Sequence, residues 1–128
     1  MVDPGGTSRH PQPGAREPAI TSVDRVGDAI VVRLAGELDL YNADQIRAAL
    51  LEATAQEPER LVVDLAEVQF IDSTALGVLI EARSRLANRR GFLLAGPRLA
   101  TRRALEVSGL DRHFAVHDSA DAALRAQL

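Results

Sequence analysis

The residues best placed to do chemistry in this sequence are Asp72, Ser73 and Thr74, an acid followed directly by two hydroxyls. Before them stands the short β-branched run Leu61-Val62-Val63-Asp64-Leu65. After them Leu76, Leu79, Ile80 and Leu86 recur at helical spacing. Ser73 therefore falls at a strand-to-helix junction. There the first backbone N–H groups of the helix have no partner within it and favour an anion or an oxygen acceptor. Four uses fit such a position: a plain helix cap, a phosphate-binding turn, a nucleophile's turn and a serine that receives a phosphate.

The nucleophile reading needs a general base held by a third group, usually a histidine. Neither His113 nor His117 has a reason to lie near Ser73, and the strained Gly-x-Ser-x-Gly turn is missing, so catalysis is not expected. A nucleotide site is not expected either, because no Gly-x-Gly-x-x-Gly follows a strand and no Gly-Lys-Ser/Thr loop exists. No metal site is expected: His113 and His117 stand four apart with no ligand partner at metal spacing, and they read as surface histidines. As a cap, Asp72, Ser73 or Thr74 would each serve. A cap explains one polar residue. It accounts less well for an acid and two hydroxyls together between apolar flanks.

The composition suits one core of aliphatic side chains. The chain has 128 residues, 46% of them hydrophobic but only 3% aromatic, so the interior must be Leu, Val, Ile and Ala. Without cysteine, disulfide and thiol chemistry are excluded. The apolar runs are too short to span a bilayer and the first residues lack a signal-peptide order, which predicts a cytoplasmic protein without direct membrane insertion. A net charge of −3 argues against nucleic acid as a partner. All 15 basic residues are arginine, and the pairs Arg89-Arg90 and Arg102-Arg103 read as solvated helix faces or ends.

Residues 1–18 carry Pro4, Pro11, Pro13 and Pro18 with Gly5, Gly6 and Gly14 and few apolar groups, which predicts a disordered tail before a domain over 19–128. Ile20 to Val26 forms a weak strand, Gly27-Asp28 a turn, and Ala29 to Ala35 a clear strand closed by Gly36, together an antiparallel hairpin. Asn42 with Gln45 has capping-box spacing, and Tyr41 with Ile46 fits a hydrophobic staple. The helix that follows carries an Ala43, Ile46, Leu50 and Ala53 stripe and ends at Pro58. After the strand Leu61–Leu65 and a short connection comes the helix that begins at Ser73 and stops near Asn88 and Gly91. Phe92–Ala95 is a buried strand, Leu99–Val107 a third helix stopped by Ser108-Gly109, and His113–Val116 a short strand. Asp118 or Ser119 caps a last helix that ends in Leu124 and Leu128. Helices thus follow residues 41, 72, 97 and 117, and the alternation implies an α/β fold with a mixed, mostly parallel sheet.

Three segments together resemble one family. Phe70-Ile71-Asp72-Ser73-Thr74-Ala75-Leu76-Gly77 looks like the signature of bacterial anti-sigma factor antagonists, the single-domain STAS proteins. Leu34-Ala35-Gly36-Glu37-Leu38-Asp39 resembles that family's second strand and its Gly-Glu-Leu-Asp turn, and Val107-Ser108-Gly109-Leu110 its late helix end. The likeness covers everything but the tail. It implies a regulator without catalytic activity or cofactor. Unphosphorylated, it would capture an anti-sigma factor that is also a serine kinase, and so free a sigma factor.

The resemblance makes Ser73, more than Thr74, the residue the kinase phosphorylates, and it implies a phosphatase that resets it. It places Asp39 close to Ser73 and makes Asp39, Asp72, Ser73, Thr74, Leu76 and Gly77 the partner-binding residues. One departure is Ala75, where the family usually has glycine; alanine favours the helix by about 1 kcal/mol and stiffens its start. The rival reading within the same fold is an accessory subunit of a membrane transport complex, docked on an ATPase. The intact Asp-Ser-Thr favours the switch. If the tail is as dispensable as its composition predicts, deleting residues 1–17 will leave the melting temperature nearly unchanged; a drop of several degrees would show that it packs on the domain.

Overall fold

A computed structural model describes residues 17–128. The predicted tail lies outside these residues except for Glu17 and Pro18. The domain is anchored from Ala19 onward: this residue is buried, and its carbonyl accepts the Ala35 N–H at 2.8 Å.

Among the described residues, five strands make one sheet in chain order. β1 (Ile20–Val26) and β2 (Ala29–Leu38) form the predicted antiparallel hairpin. β3 (Arg60–Ile71), β4 (Phe92–Ala95) and β5 (Ala115–His117) then add in parallel. Between them run α1 (Ala43–Ala55), α2 (Ser73–Arg85) and α3 (Leu99–Ser108), and α4 (Ala120–Arg125) closes the chain. Each parallel step moves one strand further in the same direction, and crossovers of this kind are right-handed. All three connecting helices must therefore fall on one face of the sheet. Their core confirms it. Ile46, Leu50, Leu79, Ala82 and Leu105 pack with Ile30, Val32, Leu61, Val63 and Leu94, the alternate residues of the strands. The opposite face holds Val31, Val62, Leu93 and Ala95 under Ala123 of α4. Each large aliphatic side chain taken out of water contributes about 1.5–3 kcal/mol, which is how a core nearly free of aromatics suffices.

Several boundaries differ from expectation for identifiable reasons. Gly36 does not close β2. It takes φ +80° at a register shift in the β2–β3 ladder, so the strand bulges and runs on to Leu38. β3 extends in step to Ile71, because Ala35 to Leu38 supply a partner ladder for the stretch that reads as a connection. α1 stops at Ala55, ahead of Pro58, and Glu57 takes φ 54°. No capping box forms, since Asn42 makes no cap hydrogen bond, and Tyr41 is 72% exposed, so no staple forms on Ile46. α2 ends at Arg85, and Arg89–Gly91 is a separate 3-10 turn capped by Asn88. The last strand sits later than predicted, reaching His117, and Ser119 rather than Asp118 caps α4.

α1 and α2 are clamped side by side. Arg47 donates through two guanidinium nitrogens to the two oxygens of Glu81, each at 2.8 Å. That hydrogen bond holds the Glu81 carboxyl below its ordinary value of 4.5. A carboxylate depressed on folding contributes stability in full above its unfolded value, and loses it as the pH falls through the lower folded value. Glu81→Gln should therefore lower the urea midpoint near neutrality, and the gap to wild type should narrow in acid, as the pH falls below 4.5. A gap of equal size near neutrality and in acid would show that the clamp carries no proton linkage.

Candidate functional site

The site follows from the parallel pairing of β2 with β3. Leu38 and Ile71 are register partners at the ends of these strands, so the next residues, Asp39 and Asp72, leave the sheet side by side. The Asp72 N–H donates to the Leu38 carbonyl at 3.0 Å, which holds the two exits together. Its carboxylate does two things at once. One oxygen accepts the Ala75 N–H at 3.0 Å and caps α2, and the other accepts the Leu40 N–H at 3.2 Å from the preceding loop.

That loop is stitched from within. Asp39 accepts the Tyr41 N–H at 3.0 Å. Asn42 accepts the Asp39 N–H at 2.9 Å and donates to the Glu37 carbonyl at 2.8 Å. The Asn42 side chain is therefore engaged in bracing the loop, which explains why it does not cap α1.

The cap alternatives left open by sequence resolve to Asp72. Ser73 and Thr74 occupy the first two positions of α2, both are exposed, and neither side chain hydrogen-bonds among the described residues. Their hydroxyls stand where helix N–H groups lack intrahelical partners and the dipole is positive. Ala75 lies inside the first turn, 1% exposed and packed in the core. Of the other residues singled out, Gly77 is exposed with nothing within 4 Å of a Cβ built on it. Leu76 is 7% exposed and belongs to the core, so it supports the surface from beneath rather than forming it.

Sequence reasoning missed the apolar surroundings. Ile80, read there as part of the apolar helical repeat, is half-exposed and lies seven residues beyond Ser73, with Gly77 between them on the same helix face. Leu40 and Tyr41 project from the stitched loop, and Phe70 is half-exposed two residues ahead of Asp72. The available signal was Ile80 itself, since the strict stripe of Leu76, Leu79 and Leu86 has no need of it. The arrangement is an exposed acceptor hydroxyl on an apolar surface. A cavity of about 750 Å³, bounded by Ile20, Gly36, Glu37, Asn42 and Glu67, does not include Ser73 or Thr74. No group of three or more His, Asp or Glu among the described residues is placed to hold a metal ion. None of their helices is long and apolar enough to cross a membrane.

The STAS domain model matches residues 19–123. The chain is 33% identical over 95 residues to the anti-sigma-F factor antagonist RsfB of Mycobacterium tuberculosis, covering 74% of this chain and 77% of that protein. Its fold is similar to an anti-sigma factor antagonist from Mycobacterium paratuberculosis, with a TM-score of 0.78 and 32% identity over 85% of this chain and 94% of the other. It is also similar to SpoIIAA, a Bacillus protein solved in an unphosphorylated form (TM-score 0.70) and a phosphorylated form (TM-score 0.63). Both are 26% identical to this chain, with 83% of it covered and 93% and 96% of theirs. The chain therefore belongs to the STAS-domain anti-sigma factor antagonists. It is a regulator of sigma factor activity and not an enzyme.

Because Asp72 alone serves as the cap, the two neighbouring side chains should separate in stability. Asp72→Ala should lower unfolding free energy by about 1–2 kcal/mol through loss of the cap and the Leu40 contact. Ser73→Ala should change it by less than about 0.5 kcal/mol. Urea denaturation of both variants checks this, and equal losses would return the capping role to Ser73.

Proposed function

We propose that the unphosphorylated chain captures an anti-sigma factor that is also a serine kinase and thereby frees a sigma factor, and that the kinase ends the interaction by phosphorylating Ser73. A phosphatase acting on phosphorylated Ser73 resets the protein, and the cycle runs in the cytoplasm. The observation that carries this reading is the position of Ser73. Its hydroxyl is exposed, has no partner among the described residues and heads a helix whose cap is supplied by Asp72. A relative solved in both phosphorylated and unphosphorylated forms supports the same reading.

The energetics favour a change in docking over a change in fold. A phosphoserine brings a charge of about −1.5 to −2 and three strong acceptor oxygens. The helix N-terminus favours such a group by about 0.3–1 kcal/mol, so the domain tolerates it. A partner that seats Leu40, Gly77 and Ile80 must instead desolvate the phosphate, beside the carboxylates of Asp39 and Asp72. Repulsion and desolvation then act at the interface alone.

Ser73→Ala should bind the cognate kinase as wild type does and accept no phosphate on incubation with ATP, read by mass spectrometry. Ser73→Asp should bind more weakly, although one carboxylate reproduces a doubly charged phosphate only in part. Phosphate that persists on Ser73→Ala would move the site, with Thr74 the next residue to test. Unchanged kinase affinity for the phosphorylated protein would remove the mechanism.

A further inference from the structure

At the end of the sheet away from Ser73, basic side chains scattered through the sequence come together. Arg83 near the end of α2, Arg89 and Arg90 in the 3-10 turn, His113 ahead of β5 and His117 at its end all line one groove of about 340 Å³. Its apolar lining includes Leu93 and Ala115. No Asp or Glu lines it, and the last residue of the sequence, Leu128, makes no ion pair with the arginines. Of the described arginines outside the groove, Arg33, Arg47, Arg85 and Arg102 each pair with a described acid, whereas Arg25, Arg60, Arg98, Arg103, Arg112 and Arg125 do not. Arg83, Arg89 and Arg90 pair with none of the described acids.

The arginine pair is also held in place. Asn88 caps the 3-10 turn through the Arg90 N–H at 3.2 Å. Gly91 is buried so tightly on the start of β3 that a Cβ would overlap the Glu59 carbonyl oxygen. Residue Glu59 lines a different cavity, with Asp28 and Arg60, so the neighbouring acid does not belong to the groove.

We propose that this groove is a second docking surface, which takes an extended acidic segment of a partner protein. Charge complementarity selects an anion. Its lining is drawn from separate segments, with Arg83 from α2, Arg89 and Arg90 from the 3-10 turn, and His113 and His117 on either side of Ala115, and this spread selects an extended one. A single phosphate would call for donors converging on one point. β5 is also the outermost strand, with no further strand beside it among the described residues, so an extended chain can lie along it. The groove lies by the start of β4 and along β5, whereas Ser73 follows the end of β3. Phosphorylation there leaves the groove as it is, and the two surfaces can be filled together.

The test is a titration of the isotope-labelled full chain with a synthetic octapeptide of alternating glutamate and valine, followed by NMR. Shifts are expected at residues 89–93 and 113–117. Arg89→Glu with Arg90→Glu should weaken binding by about ten-fold or more, and the neutral pair Arg89→Gln with Arg90→Gln should fall between. Arg102→Glu with Arg103→Glu, a basic pair outside the groove, and Ser73→Asp should each change it by less than two-fold. Peptide shifts elsewhere, no shifts at all, or binding indifferent to the Arg89 and Arg90 variants would overturn the proposal. Tighter binding of tripolyphosphate or of a single-stranded oligonucleotide at the same residues would also overturn it, in favour of a phosphate or nucleic-acid site. The neutral pair guards against misfolding, and its melting curve is to match wild type.

Discussion

One carboxylate organises the end of the sheet where Ser73 stands. Asp72 accepts an N–H from Leu40 and another from Ala75, and so ties the loop leaving β2 to the helix following β3. The two segments are far apart in sequence, and the strands alone bring only their ends together. With Asp72 holding the cap, Ser73 is relieved of structural duty. Its hydroxyl can be modified without removing a hydrogen bond on which the fold depends. Had Ser73 been the cap, any modification of its hydroxyl would have removed a structural contact.

The surface around that hydroxyl depends in turn on the sheet. β2 and β3 lengthen together through the Gly36 bulge, and their joint extension carries Asp39, Asp72 and Phe70 to the same end. Beneath it, Leu76 and Ala75 fill the core. Ser73, Gly77 and Ile80 remain outside on one stripe of α2, where the small glycine keeps the surface low beside the hydroxyl. The Arg47–Glu81 clamp fixes the orientation of that helix against α1. Such an arrangement suits a protein partner, which reads shape and apolar area, more than it suits a small ligand.

Much of this was legible from residues. The order and type of the elements followed from periodicity and from turn residues, as with Ala29–Ala35, Phe92–Ala95 and the Ser108-Gly109 stop. The strand-to-helix position of Ser73 followed from its flanks, and the family followed from three ordered motifs, because local propensity and local spacing are properties of contiguous chain. Where contiguous signals conflicted with the sheet, they failed. Asn42 and Gln45 had the spacing of a capping box, yet Asn42 was drawn to Asp39 and Glu37 instead. The stretch 66–70 read as a connection until β2 supplied its ladder.

Sequence by itself thus determined the elements, the strand-to-helix position of Ser73 and the class of regulator. Tertiary structure decided which of three polar residues caps α2, that Leu76 is buried while Ile80 is exposed, and that Arg83, Arg89, Arg90, His113 and His117 share one groove. The reason is physical. A cap is chosen by competition among acceptors for particular N–H groups, and burial by which face of a helix meets the sheet. A charge cluster is made by residues that meet only once the strands are in register. Each of these is a relation between distant segments, and no window along the chain contains it.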